Sequence, residues 1–326
     1  MIKATLKSKT NEDICVMLSF ENHPFNYLCD CGFASELTVK DCMDVAGIFI
    51  SHTHIDHFVN FDQIFRHQLT INRKLIISGP KGIAKNVQGK FLGYNWSDIQ
   101  NGGCLMACEI YELGTHDRIT IYSLRPPDWK LIKISKRTGK IVFENEAFKV
   151  SYTVLEHSIS SISYLFQEPN KLKMNLENCP YRPGKWVQTL KQLYQLNLPA
   201  NEIEIEGKIL KASELFEFLT EEKGYSFGFI MDHAVSRSNH QKIQHLFHQA
   251  DEVYIEAYYS DSEKELALKN HHSTAFDSGT VLRKAQVKKA LPVHFSRRYH
   301  QPDSPERQKL LEEFYNAFKK NENGNT

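Results

Sequence analysis

The 326-residue sequence has no apolar run approaching the length of about 18 residues that crosses a membrane. Its first residues, Met1-Ile2-Lys3-Ala4-Thr5-Leu6, lack the apolar stretch of a secretion signal. Net charge is also lacking. A formal +1 excludes global attraction to a polyanion, so any nucleic acid would have to be held by a local patch. Walker loops, Rossmann glycine patterns and zinc knuckles are absent. So are fixed-period repeats, and low complexity is confined to the tail at 321–326. Cysteines are few: seven, at 15, 29, 31, 42, 104, 108 and 179. An odd number without framework spacing excludes a secreted disulfide scaffold. Cys29-x-Cys31 and Cys104-x3-Cys108 are better read as buried thiols than as halves of a zinc site. The expectation is a cytoplasmic protein with no membrane partner.

What is present suffices for a sizeable core: 41% apolar and 24% charged residues, in a chain long enough for one large α/β domain. Strands are expected at 13–19, 25–29 and 47–50, a helix at 39–46, a helix at 61–69 and a strand at 74–78. This order suits an α/β sandwich. Short strands follow from Cys104 to about Leu165. Among them Lys130 to Val142 reads as a basic hairpin, with Lys130, Lys133, Lys136, Arg137 and Lys140 either solvated or in contact with a polyanion. Residues 168–223 are broken by repeated Pro, Gly and Asn, with helices expected at 186–196 and 213–222. They read as an insertion in a single domain of residues 1–326, not as a separately folding one. Strands at 225–231, 252–257 and 288–293 and a helix at 306–320 close the chain.

The densest chemistry is the run Ser51-His52-Thr53-His54-Ile55-Asp56-His57, just past the apolar Ile48-Phe49-Ile50. On extended chain, residues two apart point the same way, so His52 and His54 can converge on one ion while Asp56 and His57 turn toward a second. Imidazole and carboxylate suit Zn²⁺, Mn²⁺ or Fe²⁺.

This run resembles the His-x-His-x-Asp-His signature of the metallo-β-lactamase superfamily. The resemblance implies a four-layer αββα sandwich with two metal ions at one edge of its sheets. It also implies further ligands after later strands, in the order His, bridging Asp, His. His157, Asp232 and His294 stand in that order, each after an apolar stretch. Longer segments resemble the ribonuclease Z-like branch, which processes the 3′ ends of precursor tRNA. They are Asp30-Cys31-Gly32, Gly79-Pro80-Lys81-Gly82, His157 to Tyr164, Glu256-Ala257, His272-Ser273-Thr274-Ala275 and His294-Phe295-Ser296-Arg297-Arg298-Tyr299.

That resemblance implies a set of roles. His52, His54 and His157 would hold one divalent ion, Asp56, His57 and His294 the other, with Asp232 between them. The ions are expected to be Zn²⁺, with Mn²⁺ or Fe²⁺ as alternatives. A hydroxide bridging them would attack phosphorus, with Asp56 orienting or deprotonating it. His272, held by Glu256, would protonate the leaving oxygen; otherwise it is a solvated loop residue beside His271. Arg298, with Ser296 and Tyr299, would contact the substrate phosphate; otherwise Arg298 makes a surface ion pair. A homodimer is implied too.

Several segments depart from the family pattern. Asp-Cys-Gly-Glu-Gly-Thr becomes Asp30-Cys31-Gly32-Phe33-Ala34-Ser35, and Gly-Leu-Pro-Gly after the last histidine of the run becomes Phe58-Val59-Asn60-Phe61. Gly-Asp-Thr becomes Met231-Asp232-His233, and no basic tRNA-gripping arm is evident in 168–223. The expected function is therefore a metal-dependent phosphodiesterase cutting precursor tRNA. The alternative is a hydrolase of cyclic nucleotides or other small phosphodiesters.

Overall fold

The computed structural model describes residues 1–96, 104–177 and 179–319. The chain divides into two compact units, one of residues 1–167 and 225–326, the other of residues 168–224. The tail at 321–326 lies outside the described residues.

The larger unit is built on two sheets. The first runs Lys3–Leu6, Val16–Ser19, Asn26–Cys29, Val45–Phe49, Lys74–Pro80, Ala107–Leu113, Arg118–Leu124, Ile132–Thr138 in spatial as in chain order. Its four central strands, Asn26–Cys29 to Ala107–Leu113, are parallel. The second sheet is ordered Lys289–Val293, Glu252–Glu256, Ser226–Ile230, Ser160–Gln167, Lys149–Glu156, Ile141–Glu144, with its first three strands parallel.

Strand alternation produces three apolar layers. Tyr27, Phe49 and Tyr111 of the first sheet pack against Tyr164, Phe166 and Phe229 of the second. On the outer face of the first sheet, Leu28, Ile48 and Ile77 meet Phe61, Phe65 and Val87 from the helices Phe61–Arg66 and Ile83–Leu92. On the outer face of the second, Ile230, Val253 and Ile255 meet Ile243, Leu282 and Phe314 from Arg237–Leu246, Ala275–Lys284 and Pro305–Lys319. The order helix, sheet, sheet, helix is the expected αββα sandwich.

Three local expectations change. The helix expected at 39–46 stops at Asp44, because buried Val45 and Ala46 are drawn into the sheet. The basic stretch at 130–142 is not a hairpin. Ile132–Thr138 pairs with Arg118–Leu124 in the first sheet and Ile141–Glu144 with Lys149–Glu156 in the second. The turn between them carries the chain across the sandwich and is tied by the Gly139 N–H to the Asp117 carbonyl at 2.8 Å. The helix expected at 213–222 is a short helix, Ala212–Leu215, a 3-10 turn and a strand, Leu219–Glu222. That strand pairs with Lys171–Met174, and the Lys173–Glu222 ion pair across it, 2.7 Å, favours strand over helix. It belongs to the smaller unit, whose own core gathers Leu190 of the helix Lys185–Gln195 with Ile203, Ile205, Ala212 and Leu215.

Candidate metal centre

Parallel strands deliver their C-terminal ends to one edge of the larger unit, where open α/β sheets collect functional groups. Val45–Phe49 is buried at all five positions and continues through Ile50, whose N–H donates to the Ser78 carbonyl at 2.7 Å. The chain then leaves the sheet, and the His-rich run begins. Asp30, at the end of the neighbouring strand, anchors it. Its Oδ1 accepts the Ser51 N–H at 2.6 Å; its Oδ2 accepts the Ser51 hydroxyl and His57 Nδ1, each at 2.7 Å. Gly32 lets the two loops touch: a Cβ there would lie 2.0 Å from the Asp56 carbonyl oxygen. The other ligands expected from the sequence arrive likewise. His157 follows Lys149–Glu156, Asp232 follows Ser226–Ile230, and His294 follows Lys289–Val293.

All seven expected metal ligands come together in two groups that share Asp232. In the first, donor atoms of His52, His54, His157 and Asp232 lie within 4.8 Å of one another. Asp232 Oδ2 is 3.6 Å from His52 Nε2 and 3.5 Å from His157 Nε2, and His52 Nε2 is 3.0 Å from His54 Nδ1. In the second, Asp56, His57 and His294 meet within the same limit. Asp232 Oδ1 stands 3.5 Å from His57 Nε2 and 3.0 Å from His294 Nδ1; Asp56 Oδ2 is 3.7 and 3.6 Å from the Nε2 atoms of the same two rings. Ligands about 2.0–2.1 Å from one ion stand roughly 3–3.5 Å from each other, so these spacings suit an ion in each group. A second observation agrees. His57 Nε2, Asp232 Oδ1 and His294 Nδ1 are buried without a hydrogen-bond partner, a costly arrangement unless a cation completes it.

The outer atoms of the rings are fixed in the manner metal ligands require. His57 directs Nδ1 at Asp30, and His157 directs Nδ1 at the His271 carbonyl at 2.7 Å. With both bonds donated from Nδ1, each ring in its neutral form has its Nε2 lone pair inward. Burial, with help from the neighbouring imidazoles, pushes His52 down to about 2, so its ring is neutral. Burial opposes charge on His57 and His294 as well, but the Asp232 carboxylate outweighs it and raises both. Asp232 itself is held well below the usual carboxylate range, since His294, His57 and His52 overcome its burial.

A third group adjoins the first two. His272 Nδ1 lies 2.9 Å from Glu256 Oε2 and 3.8 Å from Asp232 Oδ2. The other Glu256 oxygen accepts the N–H groups of His233 (2.7 Å) and Ser273 (3.2 Å). Glu256 is fully buried, yet the charge and hydrogen bond of His272 and the hydrogen bond of the His233 ring, 3.1 Å away, outweigh desolvation and bring it down to about 2. Thr274 caps the helix Ala275–Lys284 by accepting the Asp277 N–H, which sets the direction of the chain leaving His272.

The expected substrate residues are placed differently. Arg298 and Tyr299 both engage Glu263, and Ser296 is buried with its N–H on the Tyr258 carbonyl at 3.0 Å. Arg297, not Arg298, lines the cleft beside His294. Sequence reasoning missed four participants: Asp30 as the partner of His57, the His271 carbonyl, the buried His233, and Tyr258. The ring of Tyr258 stacks on His272 at 3.9 Å and 10°. Asp30 sits in a motif noticed as a motif, without a role; the others carry no local signal.

No protein-family model matches the chain. Curated relatives do. The ribonuclease Z of Borrelia garinii subsp. bavariensis is 30% identical over 292 residues, covering 84% of this chain and 77% of that protein. The chain belongs to the ribonuclease Z family. Other members at lower identity are those of Deinococcus radiodurans (26%; 85% of this chain, 84% of the relative) and Methanocaldococcus jannaschii (25%; 98% and 88%). Among solved structures, the metallo-β-lactamase fold protein YhfI of Bacillus subtilis superposes with a TM-score of 0.57 at 11% identity, covering 97% of this chain and 93% of that one. The short form of human tRNase Z gives 0.54 at 18%, covering 91% of each. Both show the metallo-β-lactamase fold, and the family makes the chain a metal-dependent hydrolase.

Proposed function

We propose that the chain is an endoribonuclease that cuts precursor tRNA at its 3′ end, with two divalent ions held by His52, His54, His157 and by Asp56, His57, His294, and Asp232 shared between them. The observation that carries this reading is the split of Asp232, one oxygen toward each histidine group, beside a Glu256–His272 pair. The donor set is rich in imidazole and suits Zn²⁺, with Mn²⁺ or Fe²⁺ as alternatives. Two such ions, when bound, supply Lewis acidity at the phosphoryl oxygens and an activated water near neutral pH.

The chain's own groups do the rest. The Asp56 carboxylate, 40% exposed, is placed to orient an attacking water or take its proton. Glu256 holds Nδ1 of His272, leaving Nε2 to deliver a proton to the leaving oxygen of the ribose. Tyr258 keeps that ring from turning. Arg298 can reach a phosphate only by leaving Glu263; Ser296 and Tyr299 shape the turn that presents both arginines.

The curated relatives are named ribonuclease Z, and hydrolysis of a small phosphodiester is not favoured. Six of the seven free thiols are buried, which suits a reducing cytoplasm, and among the described residues no helix is long and apolar enough to cross a membrane. A homodimer belongs to the same reading and is checked by the mass in solution. The deciding assay offers precursor tRNA and cyclic nucleotides side by side with Zn²⁺ or Mn²⁺. Cutting of tRNA at its 3′ side is expected; turnover of the cyclic nucleotides alone would overturn the proposal.

A further inference from the structure

Beside the second histidine group the larger unit opens into a cleft of about 780 Å³ that begins at Asp56 and His294. The size is that of a small-molecule site. Anything lying in it and reaching those two residues is bonded close to the phosphate under attack.

Its walls are unlike the polar centre next door. Phe33 is 53% exposed, Ile55 77% and Val59 36%, three apolar side chains left in water around one opening. Phe33 is not a stray surface ring. Its N–H donates to Asp13 Oδ2 at 3.0 Å, and the preceding Gly32 is packed against the Asp56 backbone. The backbone that carries the ring is therefore held in register with the metal loop.

The cleft carries charges of both signs, with Glu12, Asp13 and Asp56 among the acids and Arg297 among the bases. Glu12 Oε2 accepts the N–H groups of Lys9 and Ser35, and Asp13 Oδ2 that of Phe33, so both carboxylates are tied to backbone while keeping their charge. Arg297 lines the cleft and makes no ion pair among the described residues. An aromatic face with an available guanidinium, at a centre for phosphate chemistry, matches one ligand class: a base to stack and a phosphate to pair.

We propose that this cleft is a nucleotide subsite, with Phe33 as the platform for one base and Arg297 as the contact to its phosphate. The proposal rests on the reading of the centre as a nuclease and adds where a nucleotide next to the cut is seated.

The test uses the Zn²⁺-loaded protein and product-sized ligands, so no turnover is needed. Uridine and adenosine 5′-monophosphates are titrated against ribose 5-phosphate, which lacks the base. The nucleotides are expected to bind about 5- to 150-fold more tightly, the worth of one base stacked on an aromatic side chain. Phe33→Ala should remove that advantage and Phe33→Trp retain it, while Arg297→Ala weakens all three ligands alike. Metal content is measured for each variant. Equal affinity with and without the base, an advantage that survives Phe33→Ala, or no binding of any ligand overturns the subsite. Precursor tRNA cleavage is assayed in parallel. Cleavage without base preference removes the subsite and leaves the nuclease; base preference without cleavage does the reverse.

Discussion

Asp30→Asn is the sharpest probe of how the centre is held. The carboxylate takes three hydrogen bonds: Ser51 N–H on Oδ1, and the Ser51 hydroxyl and His57 Nδ1 on Oδ2. Asparagine has the same shape but one acceptor. With its oxygen kept on the Ser51 N–H, the amide hydrogens face His57 Nδ1, which must then accept. The proton moves to Nε2, the atom that faces Asp232 at 3.5 Å and that an ion needs unprotonated. With the amide flipped, its hydrogens meet the Ser51 N–H across 2.6 Å, donor against donor. Either way His57 loses quality as a ligand. Loss of such an outer partner costs metals about 10- to 100-fold in affinity, roughly 1.4–2.7 kcal/mol. Asp30→Ala is a poorer probe, because it leaves three buried donors unsatisfied at about 1–3 kcal/mol each and threatens the fold. The assay is competition with a chromogenic chelator, backed by elemental analysis. The weaker of two binding steps should fall by that factor while circular dichroism is unchanged. Two ions bound with wild-type affinity would refute the tautomer argument.

Four further outcomes are expected. Reconstituted protein should carry about two transition-metal ions per chain, and stripping them should lower the melting temperature, since the ions bind the folded state; metal analysis finding none rejects the centre. His272→Ala should slow RNA cleavage by about 10²- to 10⁴-fold and affect a nitrophenyl diester far less, because only the poor leaving group needs a proton; equal losses would remove the role. Gly32→Ala should cost about 1–3 kcal/mol in a denaturant melt and weaken metal binding, as its Cβ pushes the Asp56 backbone; a neutral result would show that the loops are not coupled. Asp251 is held below the ordinary carboxylate range, because its bonds to Lys288 and Ser226 outweigh its burial. Its contribution is therefore present above about pH 4 and lost as acid protonates it, and Asp251→Asn should flatten that part of an acid stability curve.

That the seven residues of the two donor groups would meet was legible because they follow strands, and strands running the same way bring such ends to one edge. The sandwich was legible for the same reason, since alternation along Phe49, Tyr164 or Ile255 marks two buried faces. What failed to show was long-range. Nothing near His271 says that its carbonyl will orient His157, 114 residues away. The basic residues at 130–142 alternate as a hairpin would, and only sheet membership reveals that the turn crosses the sandwich. Arg297 and Arg298 part on geometry. The two are neighbours on a 3-10 turn, about a third of a revolution apart, so one faces the cleft when the other faces Glu263.

Two backbone positions show what the centre demands of the fold. Asp30 and His294 both adopt the left-handed region, at φ 54° and 53°. Aspartate tolerates it; for histidine it costs on the order of 1 kcal/mol or more. Each stands where a strand ends and a side chain must turn back toward the metal groups. For His294 the turn sets the ring between two carboxylates, Asp232 at 3.0 Å and Asp56 at 3.6 Å. The buried strand Lys289–Val293 fixes the approach, and those carboxylates hold the ring from both sides. The strain therefore persists only because packing and charge agree on one position for His294, and that position closes the group of Asp56, His57 and His294.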